Sequence, residues 1–317
     1  MKVLDQEYVT KYLDMEACID LMENVFRQVE QEACTQYLRT AIELPNHNIL
    51  GVMPGYFESG YFGAKILSVY PMNGRDGYPS HQGQILLFEK KHGQIKAVVD
   101  AMSVTRIRTG AASAAASRLL ARPDSTHLAL LGSGEQADSH MEAMLKCFQI
   151  DTVTVWSPSE NHAEQFAKKN SAKYNVKVDT CKDAKDAVKD ADIICTLTPS
   201  KTPVLEGTWV KPGTHINAVG ACSPRSRELD SALTKSARFY GDNRESVMKE
   251  SGDFLIPLQE GQIEETHFLG TIGQILTGKC QGRTSDKEIT IFESLGMAVE
   301  DLACAEYLYE NGEDGRV

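Results

Sequence analysis

The first third of the chain changes from a helical to a strand-like hydrophobic pattern. Residues 14–32 predict an amphipathic helix with Asp14 as its N-cap, because apolar side chains recur at helical spacing from Cys18 to Val29. The runs that follow, separated by turn residues such as Asn73-Gly74, are Arg39–Glu43, Ile49–Pro54, Tyr61–Tyr70, Gln84–Glu89 and Ile95–Asp100. Consecutive strands with short turns predict an antiparallel or mixed sheet.

The rest of the chain alternates between helix and strand. An Ala-rich helix is predicted over 109–121, ending at Arg122-Pro123. The predicted strands are His127–Leu131, Thr152–Trp156, Val176–Asp179, Asp192–Thr198, His215–Val219 and Arg238–Asp242. The predicted helices are Glu135–Phe148, Glu160–Ser171, Lys182–Val188 and, near the end, Ser294–Leu308. This alternation predicts an α/β fold: a Rossmann doubly wound parallel sheet plus an α+β domain.

Charge and cysteine content narrow the class of protein. The 317 residues include 33 Lys and Arg and 44 Asp and Glu, which gives a formal net charge of −11. The sequence lacks the basic stripe that is typical of nucleic-acid-binding proteins, so we do not expect nucleic acid as a partner. None of the eight cysteines forms a CxxC pair, which argues against a zinc site and for reduced thiols. We see no signal peptide and no membrane-length apolar run. We therefore expect a cytoplasmic protein without a metal.

The segment Leu131–Ala137 carries the most specific local motif. It reads Gly132-Ser133-Gly134-Glu135-Gln136-Ala137, a G-x-G-x-x-A pattern directly after a predicted strand and at the start of a predicted helix. The first glycine allows a tight turn, the second lets the backbone approach a pyrophosphate, and Ala137 permits close helix–strand packing. The N-terminus of the helix offers N–H groups to phosphates. The motif predicts a dinucleotide site, against the alternative of a plain strand–helix turn.

The end of the second strand of this motif should distinguish NAD from NADP. An acidic residue there would hold the ribose 2′-OH, and an Arg would accept a 2′-phosphate. The sequence Trp156-Ser157-Pro158-Ser159 has neither. Since no carboxylate repels a 2′-phosphate and both serines could bind it, the pattern slightly favours NADPH over NADH. Alternatively, the serines only cap the next helix.

Three cations stand in contexts that suggest an anion pocket. Lys65 lies in the apolar run Phe62–Val69, where a lone ammonium is costly unless it is paired or snorkels from an edge strand. Arg39 is less distinctive, since it could be a surface strand residue, and Arg108, just before the Ala-rich helix, is a candidate for a cleft between the predicted domains. His81 follows Pro79-Ser80, and a lone histidine is more often structural than catalytic.

These residues together carry a family resemblance. The chain resembles the ornithine cyclodeaminase/mu-crystallin family, nearer to its mu-crystallin-like ketimine reductase branch, through pieces that follow in order along nearly the whole chain. The pieces are Leu38-Arg39-Thr40, Ala64-Lys65, Ser80-His81-Gln82, Arg108-Thr109 with Ala111-Ala112, Leu131–His140, Trp209–Gly213, Ile216–Ala221, Arg227–Asp230, Lys249–Asp253 and Ser294–Asp301.

The resemblance implies a homodimer with two domains per chain. Residues 1–118 and 297–317 would bind substrate and form the dimer, and residues 119–296 would bind NAD(P). Arg39, Lys65 and Arg108 would hold a substrate carboxylate, which agrees with the preference of arginine for carboxylates. The implied cofactor-binding residues are His81, Thr109, Gly132, Gly134, Glu135, Gln136, Ser157, Ser159, Thr196, Val219, Ser294 and Leu295.

One position departs from the cyclodeaminases of this family. They carry an Asp shortly after the Val-Gly pair of the fifth Rossmann strand, where this chain has Cys222. A thiol with an ordinary pKa of ~8.5 replaces an ionised carboxylate poorly at neutral pH. Cys222 would border the substrate and the nicotinamide, or would be a small buried packing residue, and we favour the latter.

The resemblance therefore implies an NAD(P)H-dependent reductase of an α-imino acid, such as the cyclic ketimines pyrroline-2-carboxylate and piperideine-2-carboxylate. The cofactor would deliver the hydride, with Lys65 or a water as the proton donor. One alternative is an ornithine cyclodeaminase or an alanine-dehydrogenase-like deaminase. Another is a crystallin-type binding protein for NADPH or a small ligand, against which the three retained cations argue.

Overall fold

The computed structural model describes residues 1–58 and 60–312, which form two compact units. The first unit contains Met1–Arg108 together with the chain from Gly296 onward, and the second contains Thr109–Leu295. The predicted division after residue 118 thus lies ten residues beyond the division between the units, whereas the second division differs by one residue. The functions of the two units stay predictions.

Strands and helices are numbered along the chain. The strands of the described residues are β1 Lys2–Leu4, β2 Cys34–Gln36, β3 Thr40–Leu44, β4 Asn48–Phe57, β5 Tyr61–Val69, β6 His81–Glu89, β7 Ile95–Asp100, β8 His127–Leu131, β9 Thr152–Trp156, β10 Lys177–Thr180, β11 Ile193–Thr196, β12 His215–Ala218, β13 Arg238–Gly241, β14 Phe268–Thr271 and β15 Thr290–Glu293. The α-helices are α1 Gln6–Tyr12, α2 Met15–Glu30, α3 Ala101–Leu120, α4 Glu135–Cys147, α5 Glu160–Tyr174, α6 Ala184–Val188, α7 Ser231–Ser236, α8 Arg244–Glu250, α9 Gly252–Gln259, α10 Ile272–Leu276 and α11 Ala298–Asn311.

The first unit contains a mixed sheet. Its strand order is β1-β7-β6-β5-β4-β2, with β3 also paired to β4, and only the β1–β7 pair is parallel. The predicted helix over 14–32 is confirmed as α2, and the Asp14 side chain accepts a hydrogen bond from the Ala17 N–H. Helix α11 packs on β4 and β5, where a Cβ at Gly55 would lie 3.1 Å from Leu302. This close approach fixes the position of α11 on the sheet.

The second unit contains an eight-stranded, entirely parallel sheet. Its order is β10-β9-β8-β11-β12-β15-β13-β14. Strand order reverses direction between β8 and β11, which defines the switch point where nucleotides bind in such folds. The predicted doubly wound α/β fold is therefore confirmed.

Two predicted elements differ from the structure near the ends of the units. The Ala-rich helix α3 spans Ala101–Leu120 and so begins eight residues before the predicted start. The helix predicted over Ser294–Leu308 is wrong at its start: Ser294 and Leu295 follow the four-residue strand β15, and Gly296 adopts a φ of +80° before α11 begins at Ala298. No helix within residues 1–58 and 60–312 combines the length and the apolar composition that crossing a membrane requires.

Candidate functional site

Lys65 lies in the interior of the first unit's sheet. It is on β5, which pairs with β4 on one side and β6 on the other, and the residue is only 3% exposed. Its Nζ lies 2.6 Å from Asp301 Oδ2 and donates to Thr105 Oγ1 at 3.4 Å. The alternative that Lys65 snorkels from an edge strand is therefore wrong, and the ammonium is a buried, paired cation.

Arg108 binds the same carboxylate from the other side. Its Nε lies 3.3 Å from Asp301 Oδ1, and its NH1 lies 2.8 Å from Glu300 Oε2. Arg108 is 5% exposed, and Glu300 and Asp301 are fully buried. Asp301 thus joins the two predicted cations into one cluster.

Arg39 joins this cluster through Gly296. The Arg39 guanidinium donates to the Gly296 carbonyl at 3.4 Å, and a Cβ at position 296 would lie 2.9 Å from NH1 of Arg108. The absence of a side chain at Gly296 therefore leaves room for the Arg108 guanidinium. The structure brings together the three residues predicted to bind a carboxylate.

Two carboxylates of the cluster had no predicted role. Glu300 and Asp301 lie in the first turn of α11, where the positive end of the helix dipole stabilises negative charge. A signal was present in the sequence, since adjacent carboxylates interrupt the otherwise apolar stretch from Leu295 to Cys304. The contact of this helix with β5, which brings Asp301 to Lys65, could not be predicted from the sequence.

The surroundings give the two cations different acid strengths. Burial lowers the pKa of Lys65, and Asp301 counteracts part of this decrease. Burial also opposes the charge of Arg108, but Asp301 and Glu300 outweigh it and raise the pKa of that guanidinium. Of these two cations, Arg108 therefore holds its proton more firmly, and Lys65 releases its proton more readily.

His81 lies at the start of β6, opposite Val69 of β5. Its side chain is exposed, with Nδ1 2.9 Å from the Ser80 hydroxyl. Partial desolvation and the charge of Lys65 lower the pKa of His81, which favours the neutral imidazole at neutral pH. Its predicted contact with the cofactor stays a prediction.

The glycine motif of the second unit has the geometry of a dinucleotide turn. Gly132 follows β8 with a φ of +125°, and a Cβ there would lie 2.8 Å from the Leu197 carbonyl. Gly134 is the N-cap of α4 without a side-chain hydrogen bond, and a Cβ there would meet no atom within 4 Å. This open side of the turn fits a pyrophosphate held at a helix N-terminus.

Several of the other predicted cofactor residues of the second unit lie at the carboxyl ends of its strands. Thr196 ends β11, Val219 follows β12, and Ser294 and Leu295 follow β15. Within the described part of the chain, the buried Ser294 Oγ and Gln136 Oε1 have no hydrogen-bond partner, as expected for atoms that a ligand satisfies. Thr109 is buried in α3. Thr196 is also fully buried, and its hydroxyl donates to Glu228 Oε2 at 2.8 Å.

Ser157 and Ser159 follow β9, as predicted. The Ser159 hydroxyl accepts a hydrogen bond from the His162 N–H and caps α5, and the Ser157 hydroxyl accepts one from the Ser159 N–H at 3.5 Å. Capping of α5 is therefore present, and the predicted contact of both serines with a 2′-phosphate stays a prediction.

Cys222 is not a buried packing residue, so that prediction is wrong. The side chain is exposed, and its thiol donates weakly to the Val219 carbonyl at 3.6 Å and approaches that of Ser294 at 4.0 Å. The thiol therefore lies at the carboxyl ends of β12 and β15, among the predicted cofactor residues.

The fold and these two sites define a class: an α/β protein with a Rossmann-type sheet and a dinucleotide turn, combined with a mixed-sheet unit that carries a buried cation cluster. The chain belongs to the ornithine cyclodeaminase/mu-crystallin family, whose model matches residues 1–316. It is 38% identical over 283 residues to the ketimine reductase mu-crystallin of Rattus norvegicus, covering 89% of this chain and 86% of that protein.

Two solved structures resemble the whole chain. One is Delta(1)-pyrroline-2-carboxylate reductase of Thermococcus litoralis in complex with NADH and L-proline, with a TM-score of 0.95, 35% identity and coverage of 98% of this chain and 97% of that chain. The other is an archaeal alanine dehydrogenase dimer with bound NAD, with a TM-score of 0.94, 32% identity and coverage of 99% and 97%. These relatives confirm the family that the sequence motifs indicated.

Proposed function

We propose that this protein is an NAD(P)H-dependent reductase of a cyclic α-imino acid, with pyrroline-2-carboxylate and piperideine-2-carboxylate as the candidate substrates. The observation that carries the proposal is the Lys65–Asp301–Arg108 cluster, which combines a carboxylate-binding cation with a proton donor. The glycine turn after β8 supports the cofactor, and the ketimine and pyrroline-2-carboxylate reductases among the relatives support the reaction.

The charge of the cluster supports a substrate with one carboxylate. Arg39, Lys65 and Arg108 carry three positive charges when ionised, and Glu300 and Asp301 carry two negative charges. One net positive charge remains for the substrate. Since a buried charge without a partner is costly, the cluster matches a monocarboxylate better than a dicarboxylate.

The residues of the chain supply binding and proton transfer. Arg39 and Arg108 bind the substrate carboxylate through charge-assisted hydrogen bonds and orient the C=N bond. When bound, the reduced nicotinamide supplies a hydride to the imine carbon. Lys65 gives its proton to the imine nitrogen, so that the C=N double bond becomes a single bond with one new C–H and one new N–H. Asp301 holds the Lys65 amine until a proton from water recharges it, and a water is the alternative donor.

The proposed cofactor preference is a modest one for NADPH. No carboxylate is present at Ser157-Pro158-Ser159 to repel a 2′-phosphate, and the two hydroxyls can donate to it. The two solved relatives contain NADH and NAD, which supports use of the non-phosphorylated cofactor as well. We propose a cytoplasmic homodimer, for which the eight free cysteines and the dimeric alanine dehydrogenase relative are the support.

Cys222 argues against ornithine cyclodeamination. That reaction in this family uses a carboxylate at this position, and a thiol is largely uncharged at neutral pH. An alanine-dehydrogenase-like activity has specific support from the archaeal relative and is the second candidate.

The decisive experiment measures oxidation of NADPH and NADH in the presence of cyclic imino acids, of their dicarboxylate analogues, and of pyruvate with ammonia. The proposal expects turnover of the monocarboxylate imines, with weaker turnover of the dicarboxylates. Preferred turnover of pyruvate with ammonia would assign alanine dehydrogenase, and release of ammonia and proline from ornithine would assign the cyclodeaminase. The Lys65→Met variant is the control for turnover at the proposed site.

A further inference from the structure

Glu228 is a fully buried carboxylate that binds two strand ends at once. It accepts hydrogen bonds from Thr198 N at 2.6 Å, Thr198 Oγ1 at 2.7 Å, Gly220 N at 2.7 Å and Thr196 Oγ1 at 2.8 Å. Thr196 is the last residue of β11, Thr198 lies in the segment after it, and Gly220 follows β12. One side chain therefore fixes the exits of two adjacent central strands.

These two exits lie directly beside the glycine turn. A Cβ at Gly132 would lie 2.8 Å from the Leu197 carbonyl, so the chain after β11 contacts the turn. A Cβ at Gly220 would lie 2.5 Å from the Thr198 N and 2.8 Å from Glu228 Oε1, so the chain after β12 contacts the chain after β11. The turn at Gly132, the chain after β11 and the chain after β12 therefore lie side by side, and the Glu228 carboxylate binds the last two. They border the switch point of the sheet, where dinucleotides bind in such folds.

Two further buried carboxyl groups, Asp253 and Glu293, lie near Glu228. Asp253 Oδ1 accepts from the Glu228 N–H at 2.9 Å and from the Leu229 N–H at 2.7 Å. Burial and the charge of Glu228 raise the pKa of Asp253 to about 8, and burial together with Asp253 raises that of Glu293 well above its usual range. Burial raises the pKa of Glu228 as well, but its four donors oppose this increase. Two of the four donors around Glu228 are backbone N–H groups, which cannot accept a hydrogen bond, so the site requires acceptor oxygens at this position.

We propose that Glu228 is a positioning residue for hydride transfer, acting through Thr198 and Gly220 to fix the two strand exits that border the nicotinamide half of the cofactor. This inference rests on the proposed reductase function. The carboxylate suits the task because its two oxygens accept from four donors and donate nothing themselves. A displacement of about 1 Å in a reacting group can cost ~100-fold in rate, so exits held this tightly matter more for turnover than for affinity.

The test is Glu228→Gln, which keeps the size of the side chain but turns an NH2 group toward one of the two backbone N–H donors, that of Thr198 or that of Gly220. We expect kcat for a cyclic imino acid to fall ~10- to 100-fold, while KM and the Kd of NADPH change less than about threefold. The isotope effect with 4-deuterated NADPH should increase, because hydride transfer becomes more rate-limiting. Amide hydrogen exchange at Thr198 and Gly220 should become faster.

Asp253→Asn is the matched control. It replaces a protonated carboxyl of the same cluster by an amide whose oxygen still accepts from the Glu228 and Leu229 N–H groups. Its kcat and its exchange at Thr198 and Gly220 should equal those of the wild type. Equal losses of kcat in both variants, or a Glu228→Gln variant with normal kcat, would overturn the inference and leave the cluster as a stabilising element of the fold.

Thr198→Val provides a second, milder variant. It removes one of the four hydrogen bonds and keeps the backbone N–H bond, so kcat should fall by less than in Glu228→Gln, and normal kcat would contradict the inference if Glu228→Gln does not fold. Hydrogen exchange separates this inference from the proposed function. If the wild type reduces no imino acid, the proposed function is wrong. If amide hydrogen exchange at Thr198 and Gly220 is unchanged in Glu228→Gln, Glu228 does not link the ends of β11 and β12, whatever the reaction is.

Discussion

The Nζ atom of Lys65 lies 2.6 Å from Oδ2 of Asp301, with both side chains almost completely buried. The two residues lie on different elements, β5 and the first turn of α11. Moving either side chain away from the other would leave an uncompensated buried charge, which is costly. The pair therefore restricts both side chains to one arrangement. The amine of Lys65 is thereby held in place, which a proton donor requires.

Replacing Lys65 should affect turnover more than cofactor binding. We expect Lys65→Met to lower kcat/KM for a cyclic imino acid by several kcal/mol in transition-state stabilisation, about 100-fold or more, with the Kd of NADPH unchanged. Lys65→Arg should not restore kcat, because a guanidinium is a poor acid. The exposed Lys91→Met is the control for loss of a lysine. Near-normal turnover by Lys65→Met would assign Lys65 a structural role only.

Replacing Asp301 should shift the pH dependence of the reaction. Burial lowers the pKa of Lys65 and Asp301 raises it, so Asp301→Asn should lower this pKa further. A general acid acts in its protonated form, and kcat therefore declines as the pH rises through the pKa of Lys65. The declining limb of the kcat profile should move to lower pH in Asp301→Asn. The pKa of the substrate is the same in both proteins, so an unmoved limb would argue against Lys65 as the acid.

Filling the open side of the glycine turn should abolish dinucleotide binding. Gly134 has a φ of −86°, so a valine is tolerated by the backbone, but its side chain would occupy the space of the pyrophosphate. We expect Gly134→Val to lose fluorescence transfer to bound NADPH while its unfolding temperature stays close to that of the wild type. Gly74→Val, also without neighbouring atoms within 4 Å, is the matched control. Undiminished transfer in Gly134→Val would place the cofactor elsewhere.

A carboxylate after Trp156 should change the choice of cofactor. Ser157→Asp should accept a hydrogen bond from the ribose 2′-OH and repel a 2′-phosphate, and so shift the ratio of kcat/KM values toward NADH. Ser157→Ala should weaken NADPH use without improving that of NADH. If the wild type already uses NADH about tenfold better than NADPH, the proposed preference is wrong, since the missing acid would then not select the phosphorylated cofactor.

Local patterns predicted much of this fold, and long-range pairing accounts for the rest. The turn at Gly132 was predictable because strand, glycines and helix are adjacent in the sequence. Strand β15, Thr290–Glu293, was not predicted, although it lies between β12 and β13 in the sheet. Lys65 was singled out by its apolar context, whereas the roles of Arg39 and Arg108 were expected from the family resemblance. Their carboxylate partners were not, because only the packing of α11 against β5 brings Asp301 to Lys65.

That packing has a consequence for the growing polypeptide. Lys65 and Arg108 are synthesised long before Glu300 and Asp301, and until the ribosome releases α11 no carboxylate of that helix reaches them. An ammonium and a guanidinium are costly to desolvate without a counter-charge, so we expect this part of the sheet to stay hydrated until the helix is present. Only docking of the late helix neutralises and buries them. Assembly of the cation cluster therefore waits for the synthesis and docking of α11, and a nascent chain without that helix carries no assembled site.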